Sequence, residues 1–314
     1  MAGGPRRRAS RHGRGCKGMA TLAMRVSQPD DRWLAVGFVT LSGAGFVGAR
    51  LGLPHAEPFA FLALRFGIAA LILAVIAVAI SRDLPRDPRQ WGHIVAAGLL
   101  TVGVFSAGVF YSIAGGVSSA LSALIIALHP IVVAVAAPAL LGERVGARQW
   151  IGLLLGLGGV FLVVGHGLVV DPSLGWPVAC SFIGLFGMSA GNLYQKARCA
   201  EMPLFAGSAA QCASCALACG LGAAAFESGH IAWTGEFIVA VGWMAVVVSV
   251  GAVSILYLLI RHGEVSRVAG LFYLIPVVAA LVAWGLFGQG VDMVQWLGMA
   301  VAGSGMLLVT RRPG

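Results

Sequence analysis

The residues that could do chemistry in this sequence are few, and their surroundings narrow them further. Gly187-Met-Ser-Ala-Gly191 matches G-x-S-x-G. In a hydrolase that string forms a strand-to-helix turn exposing the serine, with a histidine in hydrogen-bond reach as base. Ser189 instead falls inside a long apolar stretch, where small residues serve helix packing. His129 is the only histidine equally deep; His12, His55, His93, His166, His230 and His262 lie at edges, in loops or in the N-terminal tail. Cys212, Cys215 and Cys219 recur at i, i+3 and i+7, on one helix face. A zinc site wants about four ligands and no histidine is near, so the trio reads as packing and no metal is expected. All twelve Asp and Glu fall in termini, loops or helix edges. Metal hydrolysis, aspartyl proteolysis and carboxylate proton relays therefore lack the groups they need. G-x-x-x-x-G-K-[ST] does not occur, so no nucleotide cofactor is expected and ATP does not drive this chain directly. No enzyme emerges from this inventory.

Composition sets the elements that must carry these residues. Of 314 residues, 59% are hydrophobic and 11% charged, with a mean hydropathy of +0.90. A soluble domain carries about 25% charged residues. No Asp, Glu, Lys or Arg occurs in 91–142, and similar gaps recur to the C-terminus. A membrane span needs roughly 20 apolar residues. Ten such segments are expected, at 33–52, 58–80, 92–113, 117–141, 148–165, 175–195, 203–224, 237–260, 265–287 and 293–310. All should be helical, because unpaired backbone in lipid is too costly.

The net charge of +9 is a topology signal and does not imply a nucleic acid partner. Of 21 Lys and Arg, 19 fall on one side of a ten-span arrangement, leaving only Arg50 and Arg65. The positive-inside rule then puts both termini in the cytoplasm, with membrane lipid a secondary partner of the basic loops. Trp33, Trp91, Trp150, Trp176, Trp233 and Trp296 sit at expected helix starts, as an interfacial belt requires. Residues 1–32 are basic, lack apolar periodicity and should be disordered. The first apolar stretch is too long for a signal-peptide core. Cys180 lies within a span and Cys16 and Cys199 in cytoplasmic regions, so no disulfide framework is expected.

The chain also repeats itself. A shift of 146 carries Pro130 to Pro276, Gly142-Glu143 to Gly288-Gln289, Gln149-Trp-Ile-Gly152 to Gln295-Trp-Leu-Gly298, and Gly159 to Gly305. Trp176 and Gly191 repeat Trp33 and Gly48 at an offset of 143. The halves are 33–165 and 175–310, five spans each. Five is odd, so the second half inserts upside down, the inverted repeat of secondary transporters. Proline in a helix removes one backbone hydrogen bond, freeing the carbonyls of Ile126 and Phe272. Paired interruptions at equivalent places point to a central binding site, so Pro130 and Pro276 are expected to kink their helices beside one cavity. Gly152-x-x-x-Gly156, echoed by Gly298-x-x-x-Ala302, allows close helix approach, either inside one chain or in a homodimer.

Pro58…Arg65, the run from Ser119 through His129-Pro130 to Gly142-Glu143, Gln149-Trp-Ile-Gly, Pro203…Gln211, and Val265 through Pro276 to Gly288-Gln289 together resemble the EamA-type carriers of the drug/metabolite transporter superfamily. The resemblance covers about residues 33–310. His129 replaces the small or polar residue usual before that proline, and Gln289 the usual second-half glutamate. The resemblance implies export of amino acids or related metabolites, a structural Arg65, and a share for the last helix of each half in an interface. A lipid-linked or nucleotide-sugar substrate is the alternative within carriers; an intramembrane serine hydrolase using Ser189 is the rival class.

The expected fold is thus an all-α membrane protein of ten transmembrane helices in two inverted five-helix halves, working as an inner-membrane carrier by alternating access. Depth in the spans selects Ser42, Ser106, His129, Asn192, Ser254 and Tyr273 as cavity groups for a small-molecule substrate. A cavity without fixed negative charge suits zwitterions and neutral compounds. Arg65, seven residues or about 10 Å past Pro58, is the one basic residue well inside a span. Such a cation costs about 2.5–3.5 kcal/mol to insert. It reads either as an anchor for an anionic group or as a snorkelling or carbonyl-bonded residue. Histidine titrates near neutrality. If transport is coupled to protons, His129 is the expected carrier; the alternative is a neutral histidine held by a hydroxyl or a carbonyl.

Overall fold

The computed structural model describes residues 31–81, 84–85, 87–165, 172–287 and 292–310. The tail 1–30, the Gly288-Gln289 pair and Arg82, Arg86, Arg311 and Arg312 lie outside the described residues, as does the side chain of Arg50. Among the described residues the chain is helical, with no named strand. The helices are α1 (Asp31–Gly52), α2 (Pro58–Ile80), α3 (Pro88–Ala114), α4 (Ser119–Leu141), α5 (Ala147–Val164), α6 (Gly175–Cys199), α7 (Leu204–Phe226), α8 (Gly235–His262), α9 (Val265–Gly270, through Leu271–Tyr273, into Leu274–Phe287) and α10 (Met293–Thr310). Eight of these, all but α1 and α6, are long and apolar enough to cross a membrane. Leu71, Val75, Val78 and Ile80 of α2 are exposed, as a lipid-facing stripe requires.

Local chemistry sets the starts. Pro58 and Pro88 open α2 and α3, where a missing N–H costs nothing. Ser118 Oγ accepts the Leu121 amide at 3.2 Å and Thr234 Oγ1 the Phe237 amide at 3.2 Å, capping α4 and α8. Gly142, at φ 69°, ends α4 in the left-handed conformation. Trp33, Trp176 and Trp233 are strongly exposed at such helix starts.

The packing partners obey the repeat. α2 lies along α7 and α5 along α10, while α3 packs on α6 as α1 packs on α8 and the second part of α9. The α2–α7, α5–α10, α3–α6 and α1–α8 pairs run antiparallel, while α1 and α9 run parallel, Phe38 meeting Phe272 and Gly43 meeting Val278. Gly152 sits where a Cβ would meet the Gly305 carbonyl at 2.7 Å, and Gly159, further along α5, faces Ala302 and the Gly298 carbonyl earlier in α10. The G-x-x-x-G face is therefore spent inside one chain. Gly48 of α1 presses on Met244 of α8, and its repeat mate Gly191 of α6 presses on Thr101 of α3.

Both contacts fall on irregular stretches. α3 contains a π-helical segment, Leu99–Val104, and α8 another, Met244–Ala252. Shifted by 146, the first falls inside the second. π-helical turns are rare and frequently mark functional sites. The proline breaks match as well. α4 is interrupted by a turn at Ala127-Leu128 and restarts at His129; α9 narrows to a 3₁₀ turn at Leu271–Tyr273 and restarts at Leu274.

Candidate functional site

The irregular stretches surround one space. A cavity of about 900 Å³ is lined by α1, α2, α3, α4, α8 and α9, with Met188 from α6. Its mouth lies among the Leu53–Pro58 connection, the α3–α4 turn and His230, where Ala114, Ser119 and His230 are exposed. Its floor is Phe38, Leu256 and Phe272, with the rings of Phe38 and Phe272 edge to face at 5.2 Å. The walls are largely apolar, from Phe105 and Phe110 to Val248 and Ile275. Polar groups are sparse: Ser42, Thr101, Ser106, Ser122 and Arg65 within, and His55, Glu57, Ser119 and His230 near the mouth.

Beyond the floor the two halves are tied together. Glu143, in the turn after α4, accepts the Val265 and Ser266 amides at 2.8 and 3.1 Å and the Ser266 hydroxyl at 2.8 Å. Within the second half, Lys196 of α6 donates to the carbonyls of Ile260 at 2.8 Å and Gly263 at 2.8 Å. An anion at a helix N-terminus and a cation at a C-terminus are each placed with the helix dipole. At the mouth Glu227 caps the α2 amides of Phe59 and Ala60 at 2.7 and 2.9 Å and accepts the Tyr111 hydroxyl at 2.6 Å.

Arg65 reaches the cavity wall while only 4% exposed. Its Nε donates to Ser249 Oγ, in the α8 π-segment, at 2.9 Å, and its guanidinium lies 5.0 Å from the Phe66 ring centroid. Cys212, Cys215 and Cys219 are all buried and free, on the α7 face that packs along α2.

Of the six polar residues chosen by depth, Ser42 and Ser106 line the cavity; His129, Asn192, Ser254 and Tyr273 do not. Depth fixes how far along a helix a residue lies, not which side of the helix it occupies. Tyr273 is fully buried against α5, its ring filling the space a Cβ at Gly156 would take. Ser254 is buried beside the lining residue Val253. Pro276 lines the cavity; Pro130 is buried behind Ile126 and Ala127, which do.

His129 is 0% exposed. Its Nδ1 lies 2.9 Å from Ser189 Oγ and its Nε2 3.2 Å from Asn192 Nδ2. The Ser189 hydroxyl donates its one proton to the Leu185 carbonyl at 2.8 Å. Nδ1 must then donate to Ser189, and Nε2 accepts from the Asn192 amide. This is a neutral imidazole with both nitrogens satisfied. It is no base for Ser189, since the nitrogen facing that hydroxyl already carries a proton. The G-x-S-x-G string is helix packing, with Gly187 and Gly191 against α3.

Thr101, Ser122 and Ser249 were missed by the sequence reading. Thr101 Oγ1 is buried without a partner among the described residues. Ser122 bonds Ser181, which donates to Ser112 at 2.7 Å. Ser249 lies midway along the expected 237–260 span, deeper than Ser254, so depth could have found it.

The EamA-like transporter family matches residues 32–165 and 175–311, one match for each half of the repeat. The chain is 24% identical over 269 residues to the uncharacterised inner membrane transporter YedA of Escherichia coli K12, covering 85% of this chain and 86% of YedA. It is 25% identical over 264 residues to the uncharacterised transporter YvbV of Bacillus subtilis, covering 79% and 81%. A solved crystal structure, 20% identical, shares the fold with a TM-score of 0.77 over 89% of this chain and 96% of that one. With both halves matched and no catalytic geometry at Ser189, this chain belongs to the EamA-like transporter family of integral membrane proteins.

Proposed function

We propose that this protein is a secondary carrier that exports a small zwitterionic or neutral metabolite, of the amino acid class, across a bacterial inner membrane by alternating access. In this reading ten helices cross the bilayer as two inverted halves of five, with both termini cytoplasmic. The observation that carries it is the cavity of about 900 Å³ between the halves, open at one end and closed at the other. Its mouth is formed by the α1–α2, α3–α4 and α7–α8 connections; the basic loops holding Arg144, Arg148, Lys196, Arg261 and Arg267 lie at the opposite helix ends. With basic loops inside, this is an outward-open form. Alternating access then requires the Glu143 tie between the halves to part while the mouth closes.

A zwitterion is supported by acceptors as well as by the absence of an acid deep in the cavity. Pro130 and Pro276 have no N–H, so the Ile126 and Phe272 carbonyls lack their i+4 helical donor, Phe272 accepting the Leu274 amide instead, and both residues line the cavity. Unwound backbone of this kind is how carriers of inverted design hold charged groups. For His129 we favour the neutral hydrogen-bonded role over that of proton carrier, because Ser189 and Asn192 enclose it away from the cavity. A homodimer would need a face other than the α5–α10 glycines. Thermal-shift screening of purified protein against a metabolite library tests the substrate class: stabilisation by amino acids supports it, and stabilisation by nucleotide sugars alone would replace it.

A further inference from the structure

Arg65 is an isolated buried cation. Among the described residues no carboxylate pairs with it, and its hydrogen bond to Ser249 uses one of the five guanidinium N–H groups. The remaining acceptor-seeking groups include both terminal nitrogens, the pair that grips a carboxylate in parallel. A guanidinium stays charged inside a protein, and burying it opposite one neutral hydroxyl leaves most of its lost hydration unreplaced. Snorkelling does not explain the position, since the side chain is enclosed at mid-helix instead of reaching an interface. Carbonyl bonding does not either, because no backbone acceptor bonds it among the described residues.

The surroundings hold the side chain still. Phe66 lies beside the guanidinium, and Ser249 is presented by the π-helical segment of α8, one of two such segments at equivalent places in the halves. Fixing Nε on Ser249 sets the plane of the fork. Thr101, from the matching π-segment of α3, lines the same wall, with its buried Oγ1 packed against Gly191 of α6. The free guanidinium donors in a largely apolar wall await a ligand that carries the missing partners.

We infer that Arg65 is the anchor for a substrate carboxylate, so that the transported compound is an amphipathic carboxylate whose apolar body lies among Phe105, Phe110 and Val248. This rests on the carrier reading and narrows it. The counter-charge that the protein lacks arrives with the substrate, and a compound without the carboxylate leaves Arg65 unpaired. Compounds matched in shape but lacking the acid are thereby rejected, as happens wherever a buried polar group of a site is left unsatisfied.

The test compares acids with their amides on the intact chain in detergent. The probes are the twenty standard amino acids and their primary amides, read by thermal shift and titration. Apolar amino acids such as leucine or phenylalanine are expected to stabilise the wild type, with their amides binding about ten- to a hundredfold more weakly, the range of a charge-assisted pair. Arg65→Gln should erase the difference between acid and amide, and Arg65→Lys should keep part of it. Equal binding of acids and amides by the wild type would overturn the anchor while leaving the carrier standing. Binding of no acid or amide would instead overturn the amino acid reading, and the anchor with it. If Arg65→Gln fails to fold, the wild-type comparison decides alone.

Discussion

The carboxylate of Glu143 accepts the backbone amide of Val265 at 2.8 Å, so the end of α4 caps the start of α9, its own repeat mate. Ser266 adds two further bonds to the same side chain. Hydrogen bonds to a charged group contribute about 1.5–3 kcal/mol. Glu143→Ala should lower the stability of the closed end by about that much, and Glu143→Gln by less, since glutamine keeps one acceptor. Proteolysis or cysteine labelling of the α8–α9 turn would read the opening. An unchanged labelling rate in Glu143→Ala would show that the tie does not hold this end shut.

The α5–α10 contact gives a matched pair of glycines. A Cβ at Gly159 would lie 2.7 Å from the Gly298 carbonyl, whereas nothing lies within 4 Å of one at Gly158. Gly159→Leu should cost about 1–3 kcal/mol or more, as overpacking does, and lower the melting temperature in detergent. Gly158→Leu faces open space and should leave it within experimental error. Equal effects would mean that the two helices are not packed this way.

His129 is expected to be architectural. His129→Gln keeps hydrogen bonding but cannot titrate, so substrate flux in proteoliposomes should respond to an imposed pH gradient as the wild type does. Loss of that response with normal expression would make His129 the proton carrier after all. Ser189→Ala should remain transport-competent and unreactive, like the wild type, toward fluorophosphonate probes, because Ser189 is buried beside a protonated Nδ1.

The helices were legible because each is a long apolar run closed by charges, prolines and glycines, and the halves because Pro130 and Gly152 recur as Pro276 and Gly298. The site was only partly legible. Ser42, Ser106 and His129 were equally deep in the sequence, but hydrophobicity runs all round these helices, so no amphipathic stripe told which side faces the cavity. Two of them line it and His129 turns to Ser189 and Asn192 instead. The π-helical segments had no visible signal of their own, but Thr101 and Ser249 stand midway along their expected spans, where depth could have found them. Arg65 stood out by charge alone; its isolation became visible only in three dimensions.

Topology is checked with reporter fusions. Fusions after Val169 and Trp233 should read outside, and one after Arg198 inside. A fusion after Arg198 that reads outside would contradict the ten-span arrangement.

Whether this chain carries amino acids at all is decided by counterflow. Proteoliposomes holding the purified protein are preloaded with the twenty unlabelled amino acids, diluted, and given labelled leucine or phenylalanine outside. Transient accumulation of label in loaded vesicles, absent from empty ones and from vesicles without protein, is the expected result. Equal label in loaded, empty and protein-free vesicles for every amino acid tried would contradict the proposed function.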